Sequence, residues 1–308
     1  MDNTPTDGAT YPVTAVEVTR KFGKKVALEK VSLTVPRGCV FGLVGENGAG
    51  KTTLIKLALG LLKPTEGSVR VFGFDPVADP PGALSRIGYL SEDHDLPLWM
   101  RVDELMNYTQ AFYPKWDPAF AEELRETFEL DPSAKIKHLS RGQRAQAGLL
   151  AAMAHRPELL LLDEPSSGLD PVVRRDILSA IIRTVAEEGR TVLFSSHLLE
   201  EVERVADIVA MIHQGRIVLC GSLDDVKSGY HRLTLRFREP QTTRPSMTGA
   251  LWCEGRGREW TVLCDGRLEE LRAAAASLGA EIVEEHAPSL EDIFVARVGK
   301  RVLPAGKE

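Results

Sequence analysis

The sequence predicts an α/β fold: a mainly parallel sheet covered by helices on both faces, with an inserted helical subdomain and a small C-terminal α+β appendage. Three observations predict it. Val40 to Val44 (VFGLV) and Leu159 to Leu162 (LLLL) are short, uninterrupted apolar runs, the pattern of strands buried on both faces. Segments with apolar residues at helical spacing alternate with them. A Gly-rich turn, GENGAG, joins the first of these strands to the helix that follows it. At 308 residues the chain has room for about two domains and a sizeable core.

The elements follow in order. Residues 1–11 lack both a basic start and an apolar stretch, so they are expected to be a disordered, solvated tail and not a signal peptide. Residues 12–229 are expected to form the main domain. Its first buried strand is Val40 to Val44, followed by a helix over Thr52 to Leu62 that Lys63-Pro64 should end. The helical subdomain spans about 92–156. In it Asp117-Pro118 makes an N-cap and first-turn pair, and Phe120, Leu124 and Phe128 recur at i, i+4 and i+8. Leu159 to Leu162 is the next strand. Arg174 to Glu188 is the next helix, with Ile177, Leu178, Ile181, Ile182 and Val185 on its apolar face and Gly189 at its C′ position. Thr191 to Ser195 is a strand, and Val209 to Cys220 reads as a hairpin through His213-Gln214-Gly215. The texture changes near Tyr230. Residues 230–308 read as an alternating strand over Leu233 to Phe237, two short strands around Leu251 and Val262, a helix over Leu268 to Leu278, a strand at Ile282 and a helical tail, PSLEDIFVARVG.

Composition excludes several functions. The 38 Lys and Arg are outnumbered by 44 Asp and Glu, so the chain lacks the basic surface on which non-specific nucleic-acid binding runs, and no nucleic-acid partner is expected. Cys39, Cys220, Cys253 and Cys264 are far apart with no C-x-x-C pair, which argues for reduced thiols over a disulfide framework or a zinc site. The longest near-apolar runs, such as Ala147 to Ala154, fall well short of the ~20 residues a membrane helix needs. The expectation is a soluble cytoplasmic protein whose membrane role, if any, requires a separate chain.

The chemistry concentrates at two points. Gly45, Glu46, Asn47, Gly48, Ala49, Gly50, Lys51 and Thr52 fit G-x-x-x-x-G-K-[ST] between an expected strand and an expected helix, with Thr53 beside them. Glycines let backbone N–H groups turn inward and approach phosphates, and the helix N-terminus adds partial positive charge. Lys51 is placed to reach the β- and γ-phosphates, and the Thr52 hydroxyl to ligate Mg²⁺. At ~7% Gly usage a chance match in a chain of this length is on the order of 1%. The second point is LLLLDEP. A buried strand ending in Asp163-Glu164 delivers two carboxylates to the C-terminal edge of a parallel sheet, where ligands bind in open α/β folds. Asp163 suits the Mg²⁺ shell, and Glu164 suits the general base or the orienter of an attacking water. Alone, LLLLDE reads equally well as two solvated acids after a strand. The upstream loop tips it.

With these motifs in place, residues 13–225 or so resemble the ATPase subunits of ABC transporters, a P-loop NTPase family. GENGAGKT resembles Walker A and LLLLDEP Walker B; LSRGQ (Leu139 to Gln143) resembles the family signature, SSGLD (Ser166 to Asp170) the D-loop and His197 the switch histidine. Phe22 sits where the family carries an aromatic that stacks on adenine, and Glu92 at or next to the Q-loop glutamine. The resemblance implies an ATPase that binds ATP and Mg²⁺, with Glu164 and His197 catalytic and Thr52, Asp163 and Glu92 at the metal. It also implies a homodimer or heterodimer of ATPase subunits, in which Ser140, Gly142 and Gln143 touch the γ-phosphate held by the partner copy. The permease would be a separate integral-membrane chain, and the ATPase would sit on the cytoplasmic face of the membrane through it.

Two residues depart from the pattern. Arg141 replaces the first glycine of the signature. Glu92 replaces glutamine, and an ionised carboxylate accepts but cannot donate. The residues themselves give an independent hint of assembly. Arg141 to Arg156 as one helix is ~24 Å long, and Leu159 to Leu162 returns only ~13 Å, which sets Ser140 apart from Asp163 within one chain.

Smaller signals carry two readings each. Phe22 is a stacking residue or part of a hairpin core. Ser167 and Asp170 are helix caps, which is compatible with an interface role. Trp99, Tyr108, Phe112, Tyr113 and Trp116 pack the subdomain, or, with DLPLWM, line a groove for a permease helix. FYPKWD, LSRGQ and the tail are most similar to exporter-type bacterial subunits. Alternatives are a soluble ABC-fold ATPase of translation or DNA maintenance, a small-molecule kinase, and a regulatory nucleotide binder. The first usually carries two cassettes or a long linker, the second needs no LSRGQ, and an intact Glu164 argues against the third.

Overall fold

The computed structural model describes residues 11–299, without the side chains of 184–188. The expected tail over 1–11 therefore lies, but for Tyr11, outside the described residues. The chain divides into two compact units at Cys220/Gly221.

The first unit opens with an antiparallel pair, β1 (Val13–Phe22) and β2 (Lys25–Val35), which register Val13 opposite Val35 and Phe22 opposite Lys25. Next come β3 (Val40–Val44), α1 (Lys51–Ala58) and β4 (Glu66–Val71), which pairs antiparallel with β1. This three-stranded sheet, in order β2-β1-β4, has no counterpart in the sequence reading. Its strands carry polar residues at irregular intervals and shift register several times, so they show neither the uniform apolar run nor the clean alternation that marks a strand.

Helix α2 (Pro80–Leu84) and strand β5 (Ile87–Leu90) precede the helical subdomain: α3 (Val102–Gln110), α4 (Pro118–Thr127) and α5 (Arg141–Met153). Asp117 Oδ1 accepts the Phe120 N–H at 3.0 Å, so α4 starts where the Asp-Pro pair places it. Then follow β6 (Leu159–Asp163), α6 (Pro171–Glu188), β7 (Thr191–Ser196), α7 (Leu199–Val205), β8 (Ile208–His213) and β9 (Arg216–Ser222). The main sheet runs β5-β6-β7-β3-β8-β9, parallel from β5 to β8. β8 turns into β9 through Gln214 (φ 47°) and Gly215 (φ 76°), the paired positive φ of a two-residue hairpin. One core cluster joins Leu28 and Val31 of β2, Phe41 and Leu43 of β3, and Leu54 and Ile55 of α1.

Two helix ends differ from expectation. α1 stops at Ala58, not Leu62. Gly60 (φ 68°) closes it: Gly60 N–H bonds to Leu57 O and Leu61 N–H to Lys56 O, a Schellman motif that ends the helix before Lys63-Pro64 is reached. α6 starts at Pro171, ahead of Arg174, because Asp170 Oδ1 accepts the N–H groups of Val172 and Val173. Ile177, Leu178 and Ile181 are buried and Ile182 is exposed; the Val185 side chain is outside the described residues.

The second unit comprises α8 (Leu223–Ser228), β10 (Tyr230–Gln241), β11 (Ala250–Asp265), α9 (Leu268–Ser277), β12 (Ala280–His286) and α10 (Leu290–Val298). It begins at Gly221, ahead of the expected 230, and takes α8 with it. Its antiparallel sheet, β11-β10-β12, has its own core around Leu235, Phe237, Trp260 and Leu271. The two short strands expected around Leu251 and Val262 are parts of the single element β11. It doubles back at Gly257 (φ 62°), bringing Gly255 against Glu259 and Trp260. Among the described residues the four cysteines are free and no helix is long and apolar enough to cross a membrane.

Candidate functional site

The loop from β3 to α1 is shaped by close approach. A Cβ on Gly45 would sit 2.2 Å from Ile212 O, and one on Gly50 (φ 117°) would sit 2.8 Å from Ala27 O, so neither position admits a side chain. The loop wraps the Lys51 ammonium, which is 5% exposed. Nζ donates to Gly45 O at 2.6 Å and Glu46 O at 3.1 Å, and lies 3.0 Å from Glu164 Oε1.

A cavity of about 520 Å³ opens over this loop. Phe22, Asn47, Gly48, Gly50, Lys51, Thr52, Thr53, Glu92 and Glu164 line it, together with Lys25 and Ala27, which sequence reasoning did not single out. Gly45, Glu46 and Ala49 belong to the loop without lining the cavity; the carbonyls of Gly45 and Glu46 hold Lys51. Phe22 is 44% exposed with the Arg20 guanidinium 4.5 Å above its ring, a rim residue and not hairpin core.

The two carboxylates end β6 as the apolar run requires. Asp163 is 1% exposed, and its Oδ1 accepts from Thr52 Oγ1 at 3.1 Å and from Ser195 Oγ at 2.7 Å. Ser195 Oγ in turn accepts the Glu164 N–H at 2.9 Å. Glu164 has a left-handed backbone (φ 49°), and its Oε2 lies 2.7 Å from His197 Nδ1. The site thus holds Lys51, Glu164 and His197 in one chain of contacts, and Thr52, Asp163 and Ser195 in a second. Ser195 is the functional residue the sequence reading missed. Its one available signal is the register that sets it directly opposite Asp163 across β6 and β7.

Electrostatics mark the carboxylate side. Burial, reinforced by the Glu164 charge, raises the Asp163 pKa against the hydrogen bonds of Ser195 and Thr52. Burial, then the charges of Asp163 and Glu164, raises that of Glu92. Glu92 also borders a neighbouring cavity of about 550 Å³, which shares Thr52 with the first. Asp163 and Glu92, crowded by neighbouring carboxylate charge and set beside the Thr52 hydroxyl, form an oxygen donor set that favours a hard cation.

Ser140, Gly142 and Gln143 lie outside this cavity. They start α5, where Ser140 and Gln143 make reciprocal bonds of 3.0 and 3.1 Å and Gly142 packs against Val173. Arg141 leans on the turn at Gly168 (φ 67°): a Cβ there would sit 2.8 Å from Arg141 Nη1.

Comparison with known proteins agrees with this geometry. Residues 28–167 match the family model described as "ABC transporter". The ABC transporter ATP-binding protein YhaQ of Bacillus subtilis is 32% identical over 306 residues, covering 93% of this chain and 98% of the relative. The chain belongs to the ABC transporter ATP-binding protein family. A daunorubicin resistance ATP-binding protein, DrrA3 of Streptomyces coeruleorubidus, is 31% identical across 91% of this chain and 93% of its own. Among solved structures, an ATP-binding subunit of an ABC transporter superposes with a TM-score of 0.64 at 28% identity, covering 70% of this chain and 92% of the other. The fold is that of a P-loop ABC ATPase cassette, and its activity is ATP hydrolysis within a transporter.

Proposed function

We propose that this ATP-binding subunit hydrolyses ATP in a dimer and drives a separately encoded integral-membrane permease, with Glu164 and His197 at the chemistry. The observation that carries this reading is the Lys51–Glu164–His197 contact chain beside a loop that admits no side chain at Gly45 or Gly50. Glu164 is positioned as the base for water, and His197 holds its carboxylate. Lys51, held by two carbonyls and paired with Glu164, is the cation the phosphates would engage. Phe22 offers its face to the base. Thr52 and Asp163, with Glu92 alongside, would hold Mg²⁺, which supplies charge neutralisation at the phosphates.

The dimer is supported by the position of Ser140, Gly142 and Gln143 outside the cavity lined by Phe22, Asn47, Lys51 and Thr52. A second copy is the natural source of that missing wall. Leu98 and Trp99 are 51% and 70% exposed beside the Glu92 loop, an apolar lip suited to a permease helix. Relatives named for daunorubicin resistance and bacitracin transport favour export. The subunit would lie on the cytoplasmic face of the membrane through its permease.

The deciding experiment is sedimentation of Glu164→Gln with and without Mg-ATP. A dimer that forms only with nucleotide is expected; a wild-type protein that is strictly monomeric and fully active would overturn the dimer reading. Leu98→Asp and Trp99→Asp should abolish copurification with the permease and leave ATPase activity of the isolated subunit intact.

A further inference from the structure

Glu201 is a buried carboxylate, 5% exposed, that the site described above does not use. It sits in the first turn of α7 and gathers three segments. Its Oε2 accepts from Ser166 Oγ at 2.5 Å and from Ser196 Oγ at 3.1 Å. Its Oε1 lies 3.1 Å from Arg174 Nε. Ser166 and Ser196 are each 1% exposed, so these bonds lie out of water and are strong.

The position of each partner matters more than the number. Ser166 is two residues beyond Glu164. Ser196 immediately precedes His197, and its Oγ also accepts the Leu198 N–H at 3.0 Å. Arg174 lies in the opening turns of α6, just after SSGLD. One carboxylate therefore ties the segment leaving β6 to the segment leaving β7, with the start of α6 as a third tether. These two segments carry the pair whose Oε2–Nδ1 separation is 2.7 Å. We infer that Glu201 is a positioning residue for ATP hydrolysis: it fixes Glu164 and His197 relative to each other, and transmits any displacement of SSGLD to them through Ser166 and Arg174. The inference rests on the reading of Glu164 and His197 as the chemical pair.

The loop around Lys51 meets this network at the Ser196 backbone, where the Gly45 N–H bonds to Ser196 O at 3.4 Å. The Ser166 and Ser196 hydroxyls and the Arg174 guanidinium that Glu201 holds are not the groups that hold Lys51, so nucleotide capture does not depend on the Glu201 carboxylate. Turnover and binding should therefore separate. The test measures kcat, KM and nucleotide affinity, the last with a fluorescent ATP analogue, together with melting temperature. The proteins are the wild type and Glu201→Gln, Glu201→Ala, Ser166→Ala and Glu164→Gln. Glu201→Gln keeps the shape and an acceptor for the serines but loses the charge, so it serves if Glu201→Ala does not fold. The expected result for Glu201→Gln is a fall in kcat of at least tenfold, with KM and nucleotide affinity within threefold of wild type. Ser166→Ala combined with Glu201→Gln should lose less than the product of the single losses. Unchanged kcat in Glu201→Gln overturns the proposal, as does a loss of kcat matched by equal losses of affinity and melting temperature. Full turnover in Glu164→Gln would instead overturn the assignment of the chemical pair.

Discussion

Removing one hydroxyl, by Ser195→Ala, should unsettle the whole carboxylate side of the site. Among the described residues, Ser195 Oγ is the bridge between the Asp163 side chain, at 2.7 Å, and the Glu164 backbone N–H, at 2.9 Å. Ser195, Asp163 and Glu164 are 0%, 1% and 3% exposed, so water cannot replace what is lost. An orphaned buried N–H costs about 1–3 kcal/mol, and a lost bond to a charged carboxylate about 1.5–3 kcal/mol. The expected destabilisation is therefore about 3–5 kcal/mol, near the upper end of single-mutant effects. Asp163 then keeps only Thr52 as a donor, and burial should raise its pKa further, so more Mg²⁺ should be needed for half-maximal ATPase activity. The assay is urea unfolding monitored by tryptophan fluorescence, followed by a Mg²⁺ titration of turnover. Ser195→Thr, which keeps the hydroxyl, should recover part of the stability. A loss below about 1 kcal/mol, with an unchanged Mg²⁺ requirement, would refute the bridging role.

Other outcomes follow from the same geometry. Gly50→Ala must place a Cβ 2.6 Å from Leu28 Cδ2 and 2.8 Å from Ala27 O at φ 117°, so nucleotide affinity should fall by more than tenfold in equilibrium binding. Glu92→Gln removes one charge from the carboxylate group and adds a donor; it should change the Mg²⁺ dependence of turnover without abolishing hydrolysis, and a titration superimposable on wild type would reject a role for Glu92 at the metal. His155 is buried with its ring stacked on Tyr113, and burial lowers its pKa from 6.5 to about 4. Its neutral form is the one the fold accepts, so the stability is fully present above pH 6.5 and is lost as pH falls toward 4, by about 2 kcal/mol at pH 5. Comparing unfolding free energies at pH 7.5 and pH 5 in wild type and His155→Gln isolates that contribution, which should be absent from the variant.

The parts of the molecule legible in the sequence were those where one signal had one cause. VFGLV and LLLLD are uniformly apolar because both faces of a central parallel strand are covered, and GENGAGKT needs glycine where backbone comes within van der Waals distance of Ile212 and Ala27. The β2-β1-β4 sheet was not legible, because its strands combine bulges with polar positions and lose their periodicity. The early end of α1 was set by Gly60, a residue tolerated in many helices, and only its positive φ makes it a stop. Ser195 and Glu201 escaped for another reason. A serine in a strand and a glutamate in a surface-like helix, LEEVERV, look ordinary, and their partners at 163, 166 and 174 are brought to them only by tertiary pairing.

The alignment of β6 with β7 also has a consequence for how the enzyme is made. Leu162 faces Phe194 and Asp163 faces Ser195 because the two strands meet in one particular offset. A slide of a single position would seat Asp163 beside Phe194 or Ser196 and turn alternate side chains to the opposite side of the sheet. Backbone ladder bonds are nearly indifferent to such a slide; the leucines and Phe194 are not. Greasy residues that touch neither Lys51 nor the carboxylates thus act as the gauge that locates Asp163 opposite Ser195, and the accuracy of the site is inherited from how the middle of the protein packs.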